Sequence, residues 1–135
     1  HLTAQQGLTD NSVADVFEDS RGNTWIGTYY GGVSKFDGQT FINFTQDGVV
    51  EGVETYNFCE DRQGNVWFSA ENHGVYRYDG SGFTQFTTDN GLATNTVQSI
   101  FEDDKGQLWL GTWQGISIFD GQQFVNAADK APWTN

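Results

Sequence analysis

Short runs of alternating apolar and polar residues fill most of the chain, and clusters of Gly, Asp and Asn separate them. In the first third, the runs lie near residues 13–17, 24–28, 33–36 and 40–45. Such alternation is typical of β-strands, and the Gly, Asp and Asn clusters are typical of tight turns between antiparallel neighbours. No segment has the apolar spacing of a helix. The pattern therefore predicts an all-β chain.

This four-strand pattern recurs twice more along the chain. Trp25, Trp67 and Trp109 each open the second strand of a copy and lie 42 residues apart. A repeat of about 40–45 residues with four strands is typical of a β-propeller blade. We predict three four-stranded antiparallel blades that form part of a larger closed ring. Their expected bounds are about 7–47 for blade one, about 48–90 for blade two and about 91–128 for blade three.

Each copy has the same predicted turn between its first and second strands. An aspartate there is followed three residues later by a glycine, so the carboxylate can accept backbone N–H bonds while the glycine adopts a positive φ. The predicted structural turn residues are Asp19 and Gly22, Asp61 and Gly64, and Asp103 and Gly106. The tryptophan after each turn is expected to be a core residue between blades. Acidic pairs such as Glu18-Asp19 also suit acid/base chemistry or Ca²⁺, but their repetition at every turn favours a structural role.

The repeated residues resemble a known family. The pattern Gly-Leu…Asn-x-Val…Glu-Asp-x-x-Gly-x-x-Trp-x-Gly-Thr…Gly-Val/Ile-Ser-x-Phe-Asp-Gly is similar to the two-component regulator propeller repeat and covers about residues 7–126. The second copy departs from it at residues 48–53 and at Ser69-Ala70, which replaces Gly-Thr. The resemblance implies a sensor-region propeller of bacterial hybrid histidine kinases or of related secreted proteins, located in the periplasm or outside the cell. It implies no catalytic residue, because the motif is structural.

Composition and charge exclude several classes of partner. The 18 acidic and 6 basic residues give a formal charge of −12, which repels nucleic-acid phosphates and anionic membrane surfaces. The chain has no apolar run of transmembrane length and no signal peptide at its start, so we expect no membrane contact by this segment. The single Cys59 cannot form an internal disulfide, which leaves the redox compartment open. Because the chain begins at His1, we expect a mature or excised piece.

Differences between the copies point to one face as a binding surface. Since successive strands reverse direction, the loop between the second and third strands of a blade lies on the same face as the loop that leads into the next blade. We call this face the rim. The copies diverge there. The predicted ligand-binding residues are Tyr29, Tyr30, Glu71, Asn72, His73, Trp113 and Gln114. Aromatic rings beside carboxylates and amides can stack on a sugar and hydrogen-bond its hydroxyls. Alternatively, Tyr29, Tyr30 and Trp113 only cap the packing between blades.

We therefore expect a noncatalytic sensor segment that recognises an extracellular oligosaccharide. One alternative is a propeller-fold enzyme, a lyase or a glycosidase, in which Glu71 or His73 would be essential. Another is a self-assembling module without a small ligand. We predict no cofactor and no metal, since the other histidine is His1 and no cluster with ligand spacing exists.

Three blades are fewer than the 4–8 of known propellers and would leave two apolar blade flanks in water. We expect the partner to be either a second copy, in a blade-to-blade homodimer, or further blades of a longer chain. Both end copies are expected to present all their apolar strand residues, including Trp25 and Val33 in the first and Val97 and Leu110 in the third.

Overall fold

The structure, a computed structural model, describes residues 13–127. They form three four-stranded antiparallel sheets, each built from consecutive strands in chain order. Blade one contains β1 (Val13–Glu18), β2 (Thr24–Thr28), β3 (Val33–Phe36) and β4 (Phe41–Asn43). Blade two contains β5 (Thr55–Glu60), β6 (Val66–Ala70), β7 (Val75–Tyr78) and β8 (Phe83–Phe86). Blade three contains β9 (Val97–Glu102), β10 (Leu108–Thr112), β11 (Gly115–Phe119) and β12 (Phe124–Asn126).

This arrangement confirms the predicted all-β fold with four antiparallel strands per blade. The expected opening of blade one at Gly7-Leu8 and the expected end of blade three at residue 128 lie outside the described residues. Between β8 and β9, a 3-10 turn spans Thr88–Asn90. Across residues 13–127, no helix has the length and apolar character that a membrane span needs.

The fourth strand of blade one is shorter than the predicted 40–45. It ends at Asn43, because the chain then turns back through hydrogen bonds from Asp47 N to Asn43 O at 3.1 Å and from Gly48 N to Thr45 O at 3.1 Å. The departure at Ser69-Ala70 does not alter blade two, since both residues lie within β6, which has the same five residues as β2.

The core lies between the blades rather than within one sheet. Trp25 of blade one packs with Phe68 and Tyr78 of blade two in one apolar cluster. Trp67 of blade two packs with Phe124 of blade three in the second cluster. Trp25 is 0 % exposed and Trp67 1 % exposed. Each tryptophan therefore faces the blade that follows it.

The two ends of the arc expose fewer apolar residues than the sequence predicts. Trp25 and Val33 are fully buried because they face blade two, and Val97 and Leu110 are fully buried in the cluster with blade two. Among the described residues, the exposed apolar side chains of these two blades include Val13 and Val16 in blade one and Phe101 and Ile116 in blade three. The expectation that end blades present all their apolar residues was wrong, because adjacent residues of one strand point to different neighbours.

The turns after the first strands share one hydrogen-bond pattern. In blade two, Oδ1 of Asp61 accepts from the backbone N–H of Gln63 at 3.0 Å and of Asn65 at 2.9 Å. Its Oδ2 accepts from Nε1 of Trp67 at 2.9 Å. Gly64 completes the turn with φ 85°. One carboxylate thus ties the turn to the core tryptophan.

Candidate functional site: the rim and its inner cavity

Backbone hydrogen bonds between neighbouring blades hold the rim loops. Gly32 N donates to Val53 O at 2.8 Å, and at the equivalent positions of the next copy Gly74 N donates to Asn95 O at 2.8 Å. In each pair, the loop after the second strand of one blade meets the segment that leads into the next blade. Side chains on the rim therefore project from a fixed frame.

A cavity of about 510 Å³ opens where the rim meets the first strands, which lie innermost and against one another. We call it the inner cavity. Its lining residues are polar or aromatic with one exception: Ala14, Asp15, Tyr29, Glu54, Tyr56, Asn57, Glu71 and Gln98. None of them is a lysine, an arginine or a histidine. The inner cavity therefore combines hydrogen-bonding groups with negative charge.

A bulge in each innermost strand shapes this lining. The register of β5 against β6 shifts between Tyr56 and Cys59, and Asn57 has φ 63°. Oδ2 of Asp15, from blade one, accepts from Asn57 N at 3.0 Å and from Phe58 N at 3.3 Å. Nδ2 of Asn57 in turn donates to the carbonyl oxygen of Val97 in blade three at 3.3 Å. These bonds link three consecutive blades beneath the cavity.

Tyr56 and Glu71 are joined across the cavity wall. The hydroxyl of Tyr56 donates to Oε1 of Glu71 at 3.1 Å. Burial, and then the charge of Glu71, raise the pKa of Tyr56 to about 12, so the phenol keeps its proton at neutral pH. Burial, and then Glu71, also raise the pKa of Glu54 above its ordinary value. Burial and the charge of Glu71 therefore make ionisation of the neighbouring acidic groups in the cavity unfavourable.

The predicted rim residues do not all converge on one place. Tyr29 and Glu71 line the inner cavity, and the Tyr30 ring lies 6.4 Å from that of Tyr29. Tyr29 is 46 % exposed and Tyr30 72 % exposed although blade two is present beside them. Packing between blades therefore buries little of the Tyr30 side chain.

The other predicted rim residues lie outside the inner cavity. Oδ1 of Asn72 accepts from the Thr96 hydroxyl at 3.0 Å, and Nδ1 of His73 lies 3.9 Å from Oε2 of Glu51. Trp113 is 82 % exposed on the last blade, next to the exposed Gln114. His73 is not among the residues that line the cavity of Glu71.

Sequence reasoning missed the part of the cavity that the innermost strands supply. The repeated strand pattern predicts Asp15, Tyr56, Asn57 and Gln98 only as strand positions, and it predicts no role for Glu54. A signal was present, since Ala14, Tyr56 and Gln98 occupy one repeat position and differ in all three copies. Divergence between copies at that position was as strong as on the rim.

The opposite face of the arc carries scaffold residues. A hollow of about 430 Å³ between blades two and three is lined largely by turn residues that recur in each copy, such as Asp61 and Gly106. Within residues 13–127, no group of three His, Cys, Asp or Glu side chains is placed to hold a metal ion.

Several solved structures resemble the chain. The extracellular domain of a protein assigned to a hybrid two component system of B. thetaiotaomicron has a TM-score of 0.80 at 23% identity, over 95% of this chain and 18% of that one. A second such domain from the same organism has a TM-score of 0.71 at 22% identity, over 88% of this chain and 19% of that one. PorZ, a surface component of the type-IX secretion system of Porphyromonas gingivalis, has a TM-score of 0.59 at 18% identity, over 79% and 17%. The chain thus spans less than a fifth of each.

At these identities, the likeness shows the fold, a β-propeller segment. No curated protein matches the chain in sequence. The sequence model of the two component regulator propeller matches residues 7–30, 51–72 and 91–114, which together make up just over half of the chain. Each match contains the acidic turn and the tryptophan of one copy. The chain therefore belongs to the two component regulator propeller family.

Proposed function

We propose that this chain is part of the sensory propeller of a bacterial signalling protein, located in the periplasm or outside the cell, and that it binds an oligosaccharide at the rim. Family membership and the two structurally similar extracellular domains support the sensory role and the location. The inner cavity supports the ligand class.

The observation that carries the proposal is the joint presence of tyrosine, carboxylate and amide side chains in the inner cavity. The half-exposed ring of Tyr29 offers a face for a pyranose ring. The carboxylate of Glu71 and the amide of Gln98 offer acceptors and donors to sugar hydroxyls. A volume of about 510 Å³ lies within the range of small-molecule sites.

The charge of the cavity favours neutral over acidic saccharides. Asp15, Glu54 and Glu71 line it without any basic residue, and the whole chain carries a formal charge of −12. A bound uronate or sulfate would be repelled, since like charges at close range in a partly buried site are unfavourable. Neutral hydroxyls, by contrast, can donate to these carboxylates.

A longer saccharide would also contact rim residues that lie outside the inner cavity. These residues are Tyr30, Asn72, His73, Trp113 and Gln114. Tyr30 and Trp113 present the largest exposed ring surfaces among them.

Calorimetric titration with neutral hexasaccharides of glucose, xylose and mannose tests the proposal. We expect one of these probes to bind, and Glu71→Gln and Tyr56→Phe each to weaken its binding about tenfold or more, as loss of a hydrogen bond to a charged group does. Glu51→Gln is the matched control, because Glu51 is an exposed rim carboxylate outside the cavity. A matching set of oligogalacturonates should bind more weakly. Equal binding of neutral and acidic probes, or equal effects of Glu71→Gln and Glu51→Gln, would contradict the proposal.

A further inference from the structure

The hollow between blades two and three, on the face opposite the rim, collects positive charge. We call it the turn hollow, and its volume is about 430 Å³. Three of the side chains that line it are basic: Arg62, Arg77 and Lys105. The whole chain has 6 lysines and arginines against 18 acidic residues. Half of the basic residues therefore lie at one place, between two blades whose four strands the structure describes in full.

Aromatic rings hold the guanidinium of Arg77 in the turn hollow. Its Cζ atom lies 5.6 Å from the ring centroid of Trp67, 5.3 Å from that of Phe86 and 5.7 Å from that of Phe119. Distances of this size are typical of cation–π contacts, which attract the positive charge. They supply no oxygen acceptor for the five N–H groups in the guanidinium plane. The rings therefore fix the position of Arg77 and leave its donors available.

These donors have no acceptor within the part of the chain that the structure describes. Among residues 13–127, the Arg77 side chain makes no hydrogen bond and no ion pair. The residue is half-buried, and no fully buried side-chain nitrogen among these residues lacks a partner. The N–H groups of Arg77 are therefore accessible from the hollow. A guanidinium that is held in place with accessible donors is suited to bind an oxygen ligand from solution.

The equivalent cation at the preceding interface does have an acceptor. Lys35 occupies the position of Arg77 in blade one. Its Nζ lies 5.1 Å from the ring centroid of Tyr78 and donates to the Tyr78 hydroxyl at 3.2 Å. Blade three has Phe119 at the position of Tyr78, so the contact between cation and ring recurs without the hydroxyl. The second interface thus lacks the acceptor that the first one supplies.

The turn hollow is also open at a place that an arginine covers in the first interface. There, a Cβ added at Gly80 would lie 3.6 Å from Nη2 of Arg21. In the second interface, the equivalent Arg62 donates from Nη2 to the carbonyl oxygen of Asp103 at 3.3 Å. Gly121 corresponds to Gly80, and no described atom lies within 4 Å of a Cβ added there. Space for a ligand therefore remains beside Arg77.

Acidic side chains of the turn hollow limit the charge that a ligand can bring. They are Asp61, Glu102 and Asp120, and each accepts a hydrogen bond from a backbone N–H group that fixes its position. These carboxylates would repel a dianion such as sulfate more strongly than a monoanion. A carboxylate carries a single charge, and its two oxygens match the fork of a guanidinium. The hollow therefore favours a carboxylate over a sulfate.

We propose that Arg77 binds the carboxylate of a small organic acid in the turn hollow, with Lys105 of the next blade as a second positive charge. Phe119 also lines the hollow and offers an apolar contact to the body of the acid. A volume of about 430 Å³ lies within the range of small-molecule sites. The site lies on the face opposite the rim, so its ligand is separate from the saccharide proposed there.

Titration of the ¹⁵N-labelled 135-residue chain with benzoate, followed by NMR, tests the site directly. The chain has three arginines, Arg21, Arg62 and Arg77, and Arg77→Met identifies the Nε–H signal of Arg77 by its loss. We expect benzoate to shift this signal to saturation and to leave that of Arg21 in place. Benzamide, the matched neutral probe, should shift neither signal, and sulfate at equal ionic strength should shift that of Arg77 less. No shift with benzoate, or an equal shift with benzamide or sulfate, would overturn the proposal.

Removal of the guanidinium tests the role of Arg77. Arg77→Met keeps an apolar side chain against the rings but removes the donors, so the affinity for benzoate should fall about tenfold or more. Lys35→Met is the matched control at the equivalent position of the other interface, and it should leave the affinity unchanged. The backbone amide signal of Gly121 reports binding in both variants, and near-ultraviolet circular dichroism checks that each is folded. Equal affinities of the two variants would overturn the role of Arg77.

Restoring the missing hydroxyl is a second, independent test. Phe119→Tyr should give Arg77 the internal acceptor that Tyr78 gives Lys35, and so weaken benzoate binding about threefold or more. Unchanged or tighter binding would contradict the argument from the missing acceptor. Glu71→Gln should leave benzoate binding unchanged, and Arg77→Met should leave saccharide binding unchanged. The failure of one proposed site is therefore distinguishable from the failure of the other.

Discussion

The indole nitrogen of Trp25 donates a hydrogen bond of 2.8 Å to Oδ2 of Asp19. The same carboxylate accepts from the backbone N–H groups of Arg21 and Asn23 through Oδ1, both at 2.9 Å. Burial alone would raise the pKa of Asp19, but the bonds from Trp25, Asn23 and Arg21 together lower it. The carboxylate therefore joins the turn to the tryptophan of the second strand, and the same bond recurs at Asp61 and Asp103.

Removing one of these carboxylates should destabilise the fold. We expect Asp61→Ala to lower the free energy of unfolding by about 1–3 kcal/mol, because the turn N–H groups and the Trp67 indole lose their acceptor. Asp47→Ala is the control at an exposed aspartate of the rim loop. Chemical denaturation measures both, and saccharide binding should persist in both variants. Unchanged stability of Asp61→Ala would contradict the structural role of the turn.

Acid should weaken the same turns. Hydrogen bonds lower the pKa of Asp19, as described, and of Asp103, where the Trp109 indole contributes most. A carboxyl whose pKa is lower in the folded than in the unfolded state stabilises the fold fully at pH values above its unfolded-state pKa of 3.8. This stabilisation is lost as the pH falls from there through the folded-state pKa. We therefore expect the stability advantage of the wild type over Asp19→Asn to shrink below about pH 4. Thermal melts between neutral pH and pH 2 measure it, and a constant difference would contradict the assignment.

Gly27 lies where the backbone of blade two approaches blade one closely. A Cβ there would lie 2.2 Å from the carbonyl oxygen of Thr55, so backbone atoms would have to move. We expect Gly27→Ala to lower the free energy of unfolding by about 1–3 kcal/mol, as overpacking does. Gly82→Ala is the control, because no atom lies within 4 Å of its added Cβ. Similar denaturation midpoints for the two variants would show that blades one and two are not packed this closely.

Two tryptophans should separate stability from binding. Trp67 is buried between blades, so we expect Trp67→Ala to cost about 3–5 kcal/mol of stability. Trp113 is 82 % exposed on the rim, so Trp113→Ala should change stability by about 0.5 kcal/mol or less while weakening binding of the neutral hexasaccharide. Melting and titration of the two variants side by side measure this. Equal losses of stability would place Trp113 in the core rather than on the rim.

Trp109 shows why repeat position alone does not fix burial. The sequence places it in register with Trp25 and Trp67, and its indole makes the same bond to the turn, 2.8 Å from Asp103 Oδ2. Its exposure nevertheless differs, because burial is provided by the following blade and not by its own sheet. We therefore expect the stability cost of Trp109→Ala to depend on whether a further blade packs against it.

The repeat itself determined the all-β architecture, the four strands of each blade and the acidic turns. These features depend on local interactions: the alternation of side chains along a strand, and a carboxylate that bonds N–H groups two and four residues later. Such interactions are complete within one copy, so they can be read from a single stretch of sequence.

Only the tertiary structure decided which residues meet at the rim. Tyr56 and Glu71 lie 15 residues apart, and the sequence predicts the first in a strand and the second in a rim loop. In the bulged strand β5, the hydroxyl of Tyr56 nevertheless reaches the Glu71 carboxylate. Tyr29 and Tyr30 are adjacent in sequence, but only Tyr29 lines the inner cavity. The physical reason is that a bulge changes the direction of side chains and that cavities form between blades. The direction of these side chains and the lining of the cavity therefore depend on how neighbouring sheets are placed.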